Sequence, residues 1–179
     1  MSLEDAHRLP VVALGAEYLV MGFLMRRNIL AYKAPPNNDG YDIICIHPDP
    51  RQATRQLRIQ VKSRYATDSN RRVPIKGRTL DAFDYLVMVR QNIGYYYRKR
   101  PCRDGLQAPV FYTLPADVVR QAHPRLGKGW EIFSTRGIDL EAYEDAAGFE
   151  QIARDLDIPY PERVSKARTG GGSRKRRRT

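Results

Sequence analysis

The chain is poor in the residues that bind structural zinc or form disulfide frameworks. Its 179 residues include two cysteines and three histidines. No Cys-x-x-Cys pair and no regular Cys/His spacing occurs, which argues against a zinc finger or zinc ribbon. Two cysteines in a chain of this length also do not indicate a secreted disulfide scaffold. Cys45 lies in an apolar run and is predicted to be a buried core thiol.

Long apolar runs and internal repeats are also missing. The most apolar stretch, Leu9–Met25, contains a proline, two glycines and Glu17. It is shorter than the roughly 20 residues that a membrane-spanning helix needs. Met1–Arg8 carries acids as well as bases, unlike a secretory signal peptide. We therefore expect no membrane association and a cytoplasmic protein.

Positive charge is in excess, but most of it lies at one end of the chain. The formal net charge is +11, and eight bases with no acid lie from Arg163 onward, which leaves +3 for Met1–Glu162. A basic balance favours a polyanionic partner such as nucleic acid. Because the last residues lack apolar side chains to pack, the sequence predicts one domain over 1–160 and a disordered basic tail over 161–179.

The tail ends in a basic cluster that includes Arg174, Lys175 and Arg176. Such a cluster is expected to bind backbone phosphates without sequence preference. The alternative is a nuclear localisation signal, if the source cell has a nucleus.

The apolar pattern predicts a helix, then a run of strands, then further helices. The predicted helices are Pro10–Arg27, Pro115–His123 and Ile138–Asp155, and the predicted strands are Ile29–Ala34, Tyr41–His47, Arg55–Arg64, Phe83–Arg90 and Val110–Leu114. The first helix is apolar around nearly its whole circumference and is expected to be buried on most sides. Ala66–Arg78 is predicted to be a loop, and Gln91–Gly105 a strand that runs into a loop. This order fits an α/β fold in which helices flank a mixed β-sheet.

Three polar positions interrupt these apolar elements. Glu17 is the only charged residue between Arg8 and Arg26, on a helix that is otherwise apolar there; an acid paired with an arginine or placed at the helix rim is the alternative explanation. Asp42 begins a strand although aspartate has low strand propensity, and it could simply cap the preceding turn. Gln60 and Lys62 share one strand face, which could also be an exposed polar surface.

Together these residues have the chemistry of a metal site for phosphodiester hydrolysis. Mg²⁺ is held in proteins by one or two carboxylates together with carbonyl oxygens, waters and phosphate. Asp42 and Glu17 would supply carboxylates and Gln60 an amide oxygen. Lys62 would project beside the metal, where it can orient the attacking water or stabilise the developing charge.

The same residues lie in motifs that resemble those of compact PD-(D/E)XK nucleases. The resemblance covers roughly Leu14 to Val119 and is to a prokaryotic group that includes an intron-encoded homing endonuclease and resolvase-like relatives. Its motifs are Gly15-Ala16-Glu17, Pro36 with Asp39-Gly40-Tyr41-Asp42, Arg58-Ile59-Gln60-Val61-Lys62-Ser63, Phe83-Asp84-Tyr85-Leu86-Val87 and Tyr112-Thr113-Leu114-Pro115-Ala116.

The resemblance implies a restriction-endonuclease-like α/β core and cleavage that depends on Mg²⁺ or Mn²⁺. It implies that Asp42, Gln60 and Glu17 bind the metal and that Lys62 is the catalytic lysine. It also implies that a homodimer is a suitable assembly. One departure is that Gln60 stands where the usual motif has an acid, and a neutral ligand holds a cation more weakly.

Further bases follow the strand that carries Gln60 and Lys62. Candidate phosphate contacts are Arg64, Arg71, Arg72, Lys76 and Arg78. A solvated loop is the alternative interpretation of this stretch.

Three functions remain open from the sequence. The first is a metal-dependent endonuclease acting on nucleic acid, with DNA as the expected substrate. The second is a catalytically inactive relative of this fold that binds nucleic acid. The third is a module that binds a protein partner, because a fold does not determine a function.

Overall fold

The computed structural model describes residues 10–36, 38–65, 72–93, 107–124 and 131–159. Within these ranges the α-helices are α1 (Pro10–Met25), α2 (Ala116–Ala122) and α3 (Asp145–Asp155). The strands are β1 (Leu30–Lys33), β2 (Ile43–Ile46), β3 (Gln56–Arg64), β4 (Arg72–Pro74), β5 (Tyr85–Arg90), β6 (Val110–Pro115) and β7 (Ile132–Ser134). Two short 3₁₀ helices cover Gly77–Thr79 and Glu141–Tyr143. The prediction of a mixed sheet flanked by helices is confirmed.

The main sheet has five strands in the order β1-β2-β3-β5-β6. All neighbours are antiparallel except β3 and β5, which pair in parallel from Ile59 opposite Tyr85 to Arg64 opposite Arg90. Asp84 fixes the start of this parallel pair, because its carboxylate accepts the backbone N–H of Arg58 (2.7 Å) and the Arg58 guanidinium (3.2 and 3.3 Å). The chain between β3 and β5 crosses one face of the sheet and includes β4, which pairs with β7.

Alternation along β3 divides the core between the two faces of the sheet. Leu57, Ile59 and Val61 belong to an apolar cluster with α1 and α3. On the opposite face, residues of β5 and β6 pack in a second cluster with β4, α2 and β7. The polar residues Gln60 and Lys62 therefore lie on the face that the crossing chain and β7 cover.

Two local predictions were wrong. Ala66–Arg78 is not wholly a loop, since it contains β4 and the start of a 3₁₀ helix; a strand of three residues is too short to show a period of two. The last helix begins at Asp145 and not at Ile138, because Glu144 is extended (φ −80°, ψ 136°) and Asp145 has a positive φ of 44°, which interrupt a helix. Strand β7 was not predicted, and most of Gln91–Gly105 lies outside the described residues.

Helix α1 is less buried than its apolar sequence predicts. Ala16, Val20 and Leu24 are fully buried, and they follow one another at four-residue spacing along a single side. Large apolar side chains on the remaining surface are exposed: Val11, Leu14, Tyr18, Leu19 and Met25. The helix covers the sheet with one side only, so the expectation of burial on most sides is wrong. No helix in the described ranges is long and apolar enough to cross a membrane.

Candidate functional site

Gln60 and Lys62 line a cavity of about 480 Å³ on the face of the sheet opposite α1. Strand β3 provides its floor, and the crossing chain between β3 and β5 provides its wall. The lining residues are Asp39, Gln60, Lys62, Pro74, Ile75, Lys76, Thr79 and Glu131. The alternative of an exposed polar strand face does not apply to Gln60, which is buried.

The side-chain oxygen of Gln60 lacks a hydrogen-bond partner. Gln60 Oε1 is buried, and within the part of the chain that the structure describes no donor reaches it. Leaving a buried acceptor unpaired costs about 1–3 kcal/mol. An oxygen held in this state beside a cavity is suited to a ligand that the cavity can admit, such as a water or a hard cation.

Lys62 is the second polar residue on the floor of the cavity. Burial lowers the pKa of its ammonium from the ordinary 10.5, and the positive charges of Lys76 and Arg64 act in the same direction. The negative charges of Asp42 and Asp39 oppose this shift. Lys62 is therefore a cation that the surroundings make easier to deprotonate than a surface lysine.

Asp42 is bound against β3 directly beside Gln60. Its Oδ2 accepts the backbone N–H of Val61 at 2.7 Å, and its own N–H donates to Ile59 O at 2.8 Å. These two bonds bracket Gln60 on the neighbouring strand. The carboxylate thus binds the adjacent strand and does not cap the preceding turn, which was the alternative explanation of Asp42.

The turn before Asp42 is held by a glycine. Gly40 has a φ of 118° and is buried, and a Cβ built there would lie 2.4 Å from the Cβ of Ala82. Only glycine fits this backbone and this close approach. The turn places Asp39 at the cavity and Asp42 against β3.

Glu17 lies on α1 and forms an ion pair with Lys33 of β1. Lys33 is opposite Ile43 in the sheet, and the next residue, Ala34, donates its N–H to Asp42 O at 2.9 Å. The pairing of β1 with β2 therefore connects Glu17 to the segment of Asp42. Glu17 is not among the residues that line the cavity.

Gln60, which lines the cavity, and Asp42, which is not among its lining residues, carry oxygens of the kind that hold a hard divalent cation. Asp42 offers a carboxylate and Gln60 a buried amide oxygen without a partner. Among the described residues, no group of three or more His, Cys, Asp or Glu side chains converges to hold a metal. A cation here would therefore have few protein ligands, and Mg²⁺ commonly keeps several waters and uses phosphate oxygens as ligands.

The candidate phosphate contacts differ in how they are held. Arg64 donates from Nε and Nη2 to the carbonyl of Arg72 at 3.2 and 2.8 Å, which ties the end of β3 to β4. Burial lowers the pKa of Arg64 below its ordinary value. Arg72 is exposed on β4. Arg71, Arg174, Lys175 and Arg176 lie outside the described residues.

Lys76 and Arg78 both bind Asp39. Arg78 Nη2 lies 2.7 Å from Asp39 Oδ2, and Lys76 Nζ lies 3.8 Å from Asp39 Oδ1. Lys76 lines the cavity and Arg78 does not. That either side chain contacts phosphate stays a prediction, and their pairing with an acid was not predicted.

Glu131 is a cavity residue that the sequence did not indicate. Its carboxylate accepts the N–H of Gly77 and lies 3.9 Å from Nε2 of the buried His123. The pairing of β4 with β7 brings Glu131 to the cavity. Since this pairing joins segments distant in the sequence, no motif near Glu131 indicates a role. Asp39 could have been noticed, since it lies within the motif that ends at Asp42.

Comparison with solved structures found similar chains, and comparison by sequence found none. No protein-family model matches the chain, and no curated protein matches it. A solved bacterial homing endonuclease, I-Ssp6803I, is similar over 81% of this chain and 91% of its own, with 17% identity and a TM-score of 0.47. Membership of the PD-(D/E)XK superfamily stays a prediction.

Proposed function

We propose that this protein is a metal-dependent endonuclease that hydrolyses phosphodiester bonds of nucleic acid, with DNA as the substrate. The observation that carries the proposal is the arrangement around the cavity. The buried and unpartnered oxygen of Gln60 lies next to Lys62 on the floor, and Asp42 is bound against the same strand. A carboxylate and an amide oxygen can hold a hard cation, and a lysine beside them can stabilise the charge that develops during phosphodiester hydrolysis.

In this proposal Asp42 and Gln60 hold Mg²⁺ or Mn²⁺, which would activate a water and neutralise charge on the phosphate. The bond from Val61 N–H fixes one oxygen of Asp42 and so orients the carboxylate. Lys62 donates hydrogen bonds to the attacking water or to the phosphate oxygens, whose negative charge increases in the transition state. Glu17, expected from the sequence to be a third metal ligand, pairs with Lys33 and does not line the cavity, so this proposal assigns it no contact with the metal.

Cleavage assays with plasmid DNA, single-stranded DNA, branched DNA and RNA test the proposal. Each substrate is incubated with Mg²⁺, with Mn²⁺ or with EDTA. We expect metal-dependent products that decrease about a hundredfold or more in Lys62→Met and in Asp42→Asn. Arg154→Gln is the control, because it removes one exposed positive charge from α3 and should cleave like the wild type.

Products that persist in EDTA or in Lys62→Met would contradict this assignment. Such products would come from another site or from a contaminating nuclease.

A homodimer is also proposed, because two cleavage sites are needed to cut both strands of a duplex. The exposed apolar side chains of α1 are candidates for the contact between copies. Sedimentation equilibrium of the wild type and of Tyr18→Glu tests this. A wild type that stays monomeric at high concentration would exclude the dimer.

Binding without cleavage is the second candidate function. It is favoured by Gln60, which replaces an acid of the usual motif, and by Glu17, whose carboxylate is engaged by Lys33. Nucleic-acid binding in gel-shift assays, with intact substrate under every metal condition, would support this function over the nuclease.

A further inference from the structure

Two cations beside the cavity, Lys76 and Arg78, are held by the carboxylate of Asp39. Asp39 lines the cavity with Lys62 and Gln60, and its two oxygens bind different cations: Oδ2 binds Arg78 at 2.7 Å and Oδ1 binds Lys76 at 3.8 Å. A carboxylate and a phosphodiester are both oxyanions that accept charge-assisted hydrogen bonds from such side chains.

All three side chains of this group are accessible to a ligand. Their exposed fractions are 56% for Asp39, 66% for Lys76 and 69% for Arg78. Ion pairs this exposed contribute only about 0–1 kcal/mol, because water screens them. An incoming phosphate can therefore replace the carboxylate at little energetic cost.

Asp39 is also fixed with respect to the metal-site residues. The buried Gly40, with its positive φ, separates Asp39 from the segment that binds β3. The negative charge of Asp39 acts on the ammonium of Lys62.

We propose that Asp39 is an internal substitute for a backbone phosphate. It holds Lys76, which lines the cavity, and Arg78 beside it until nucleic acid displaces it, and it weakens binding of any polyanion that does not reach both cations. This inference rests on the proposed function, since it describes how the same cavity selects its substrate. Asp39 is a positioning residue here and does not touch the reacting atoms.

The test measures binding in EDTA, so that a role of Asp39 in holding metal cannot contribute. Fluorescence anisotropy with a short labelled DNA duplex gives the dissociation constant as a function of salt. In Asp39→Asn we expect binding about three- to tenfold tighter at low salt, and a slope of log K against log salt that is steeper by about 0.9, as for one more phosphate neutralised.

Two further variants identify the source of the effect. Asp81→Asn removes the same charge from another surface pair, with Arg120 at 3.6 Å, and should leave affinity and slope close to wild type. Asp39→Asn combined with Lys76→Gln and Arg78→Gln should lose the gain completely, because the released cations are then absent.

Equal or weaker binding by Asp39→Asn, or an equal gain in Asp81→Asn, would overturn the proposal. No binding of any nucleic acid by the wild type at low salt would overturn the proposed function as well. These failures are distinguishable, because in the first case the wild type still binds.

Discussion

Replacing Gln60 by glutamate tests the cavity as a cation site without relying on catalysis. Glutamate has nearly the shape of glutamine, so Gln60→Glu changes the charge of the floor while leaving the packing of β3 intact. Gln60 is only 6% exposed, and Asp42 is bound beside it. In EDTA, a buried carboxylate next to a second carboxylate should lower the free energy of unfolding by about 1–3 kcal/mol.

Addition of Mg²⁺ should reverse this loss. A cation that binds only the folded state stabilises it according to its concentration and affinity. If the new carboxylate tightens binding tenfold, saturating Mg²⁺ contributes about 1.4 kcal/mol more to the variant than to the wild type. For a domain of this size that difference corresponds to roughly 3–6 °C in Tm.

Differential scanning calorimetry with EDTA and with increasing Mg²⁺ measures the effect. Thr113→Val is the matched control, because Thr113 Oγ1 is also buried without a partner in the described ranges but does not line the cavity. The Tm of Thr113→Val should respond to Mg²⁺ as the Tm of the wild type does, and the Tm of Gln60→Met should respond least. A variant Gln60→Glu whose Tm responds to Mg²⁺ no more than the wild type would refute the reasoning.

Three other perturbations address the floor, the core and the turn. Burial lowers the pKa of Lys62, so between that lowered pKa and 10.5 the unfolded chain binds more protons than the folded chain. In that window Lys62 therefore makes the free energy of unfolding rise with pH. Urea unfolding across the window should show this rise in the wild type and not in Lys62→Met. Phe149→Ala removes a ring whose centroid lies 5.5 and 6.1 Å from two other phenylalanine rings, and urea unfolding should show a loss of about 3–5 kcal/mol, whereas a loss below about 1 kcal/mol would contradict the packing. Gly40→Ala forces a Cβ against Ala82 at a positive φ, and should cost about 1–3 kcal/mol in the same assay; an unchanged midpoint would show that the turn can move.

The sheet strands that the sequence predicts are those with enough residues to show a pattern. The alternation from Arg55 to Arg64 correctly predicts that Leu57, Ile59 and Val61 pack together, and β3 is found there. Cys45 is buried as expected, and burial raises the pKa of its thiol to about 12. Short β4 and β7 have three residues each, and their pairing depends on contacts distant in sequence.

The candidate site was predictable only where it lies in local motifs. Gln60 and Lys62 share a face because of strand geometry alone, so their common position at the cavity follows from spacing. The contact of Asp42 with Val61 and the position of Glu131 depend on strand pairing, which no local pattern specifies. Whether these residues catalyse a reaction stays a prediction.

The parallel pairing of β3 with β5 requires the chain to return along the sheet, and this return supplies Pro74, Ile75, Lys76 and Thr79 to the lining of the cavity. Buried and accessible residues alternate along the returning segment. Val73 and Ile75 are buried, whereas Arg72 and Lys76 are exposed. Under the proposed function, substitutions at the accessible positions would change which nucleic acid the cavity binds, while Val73 and Ile75 keep the core intact. Substrate preference would then change in this segment without altering the strand that carries Gln60 and Lys62.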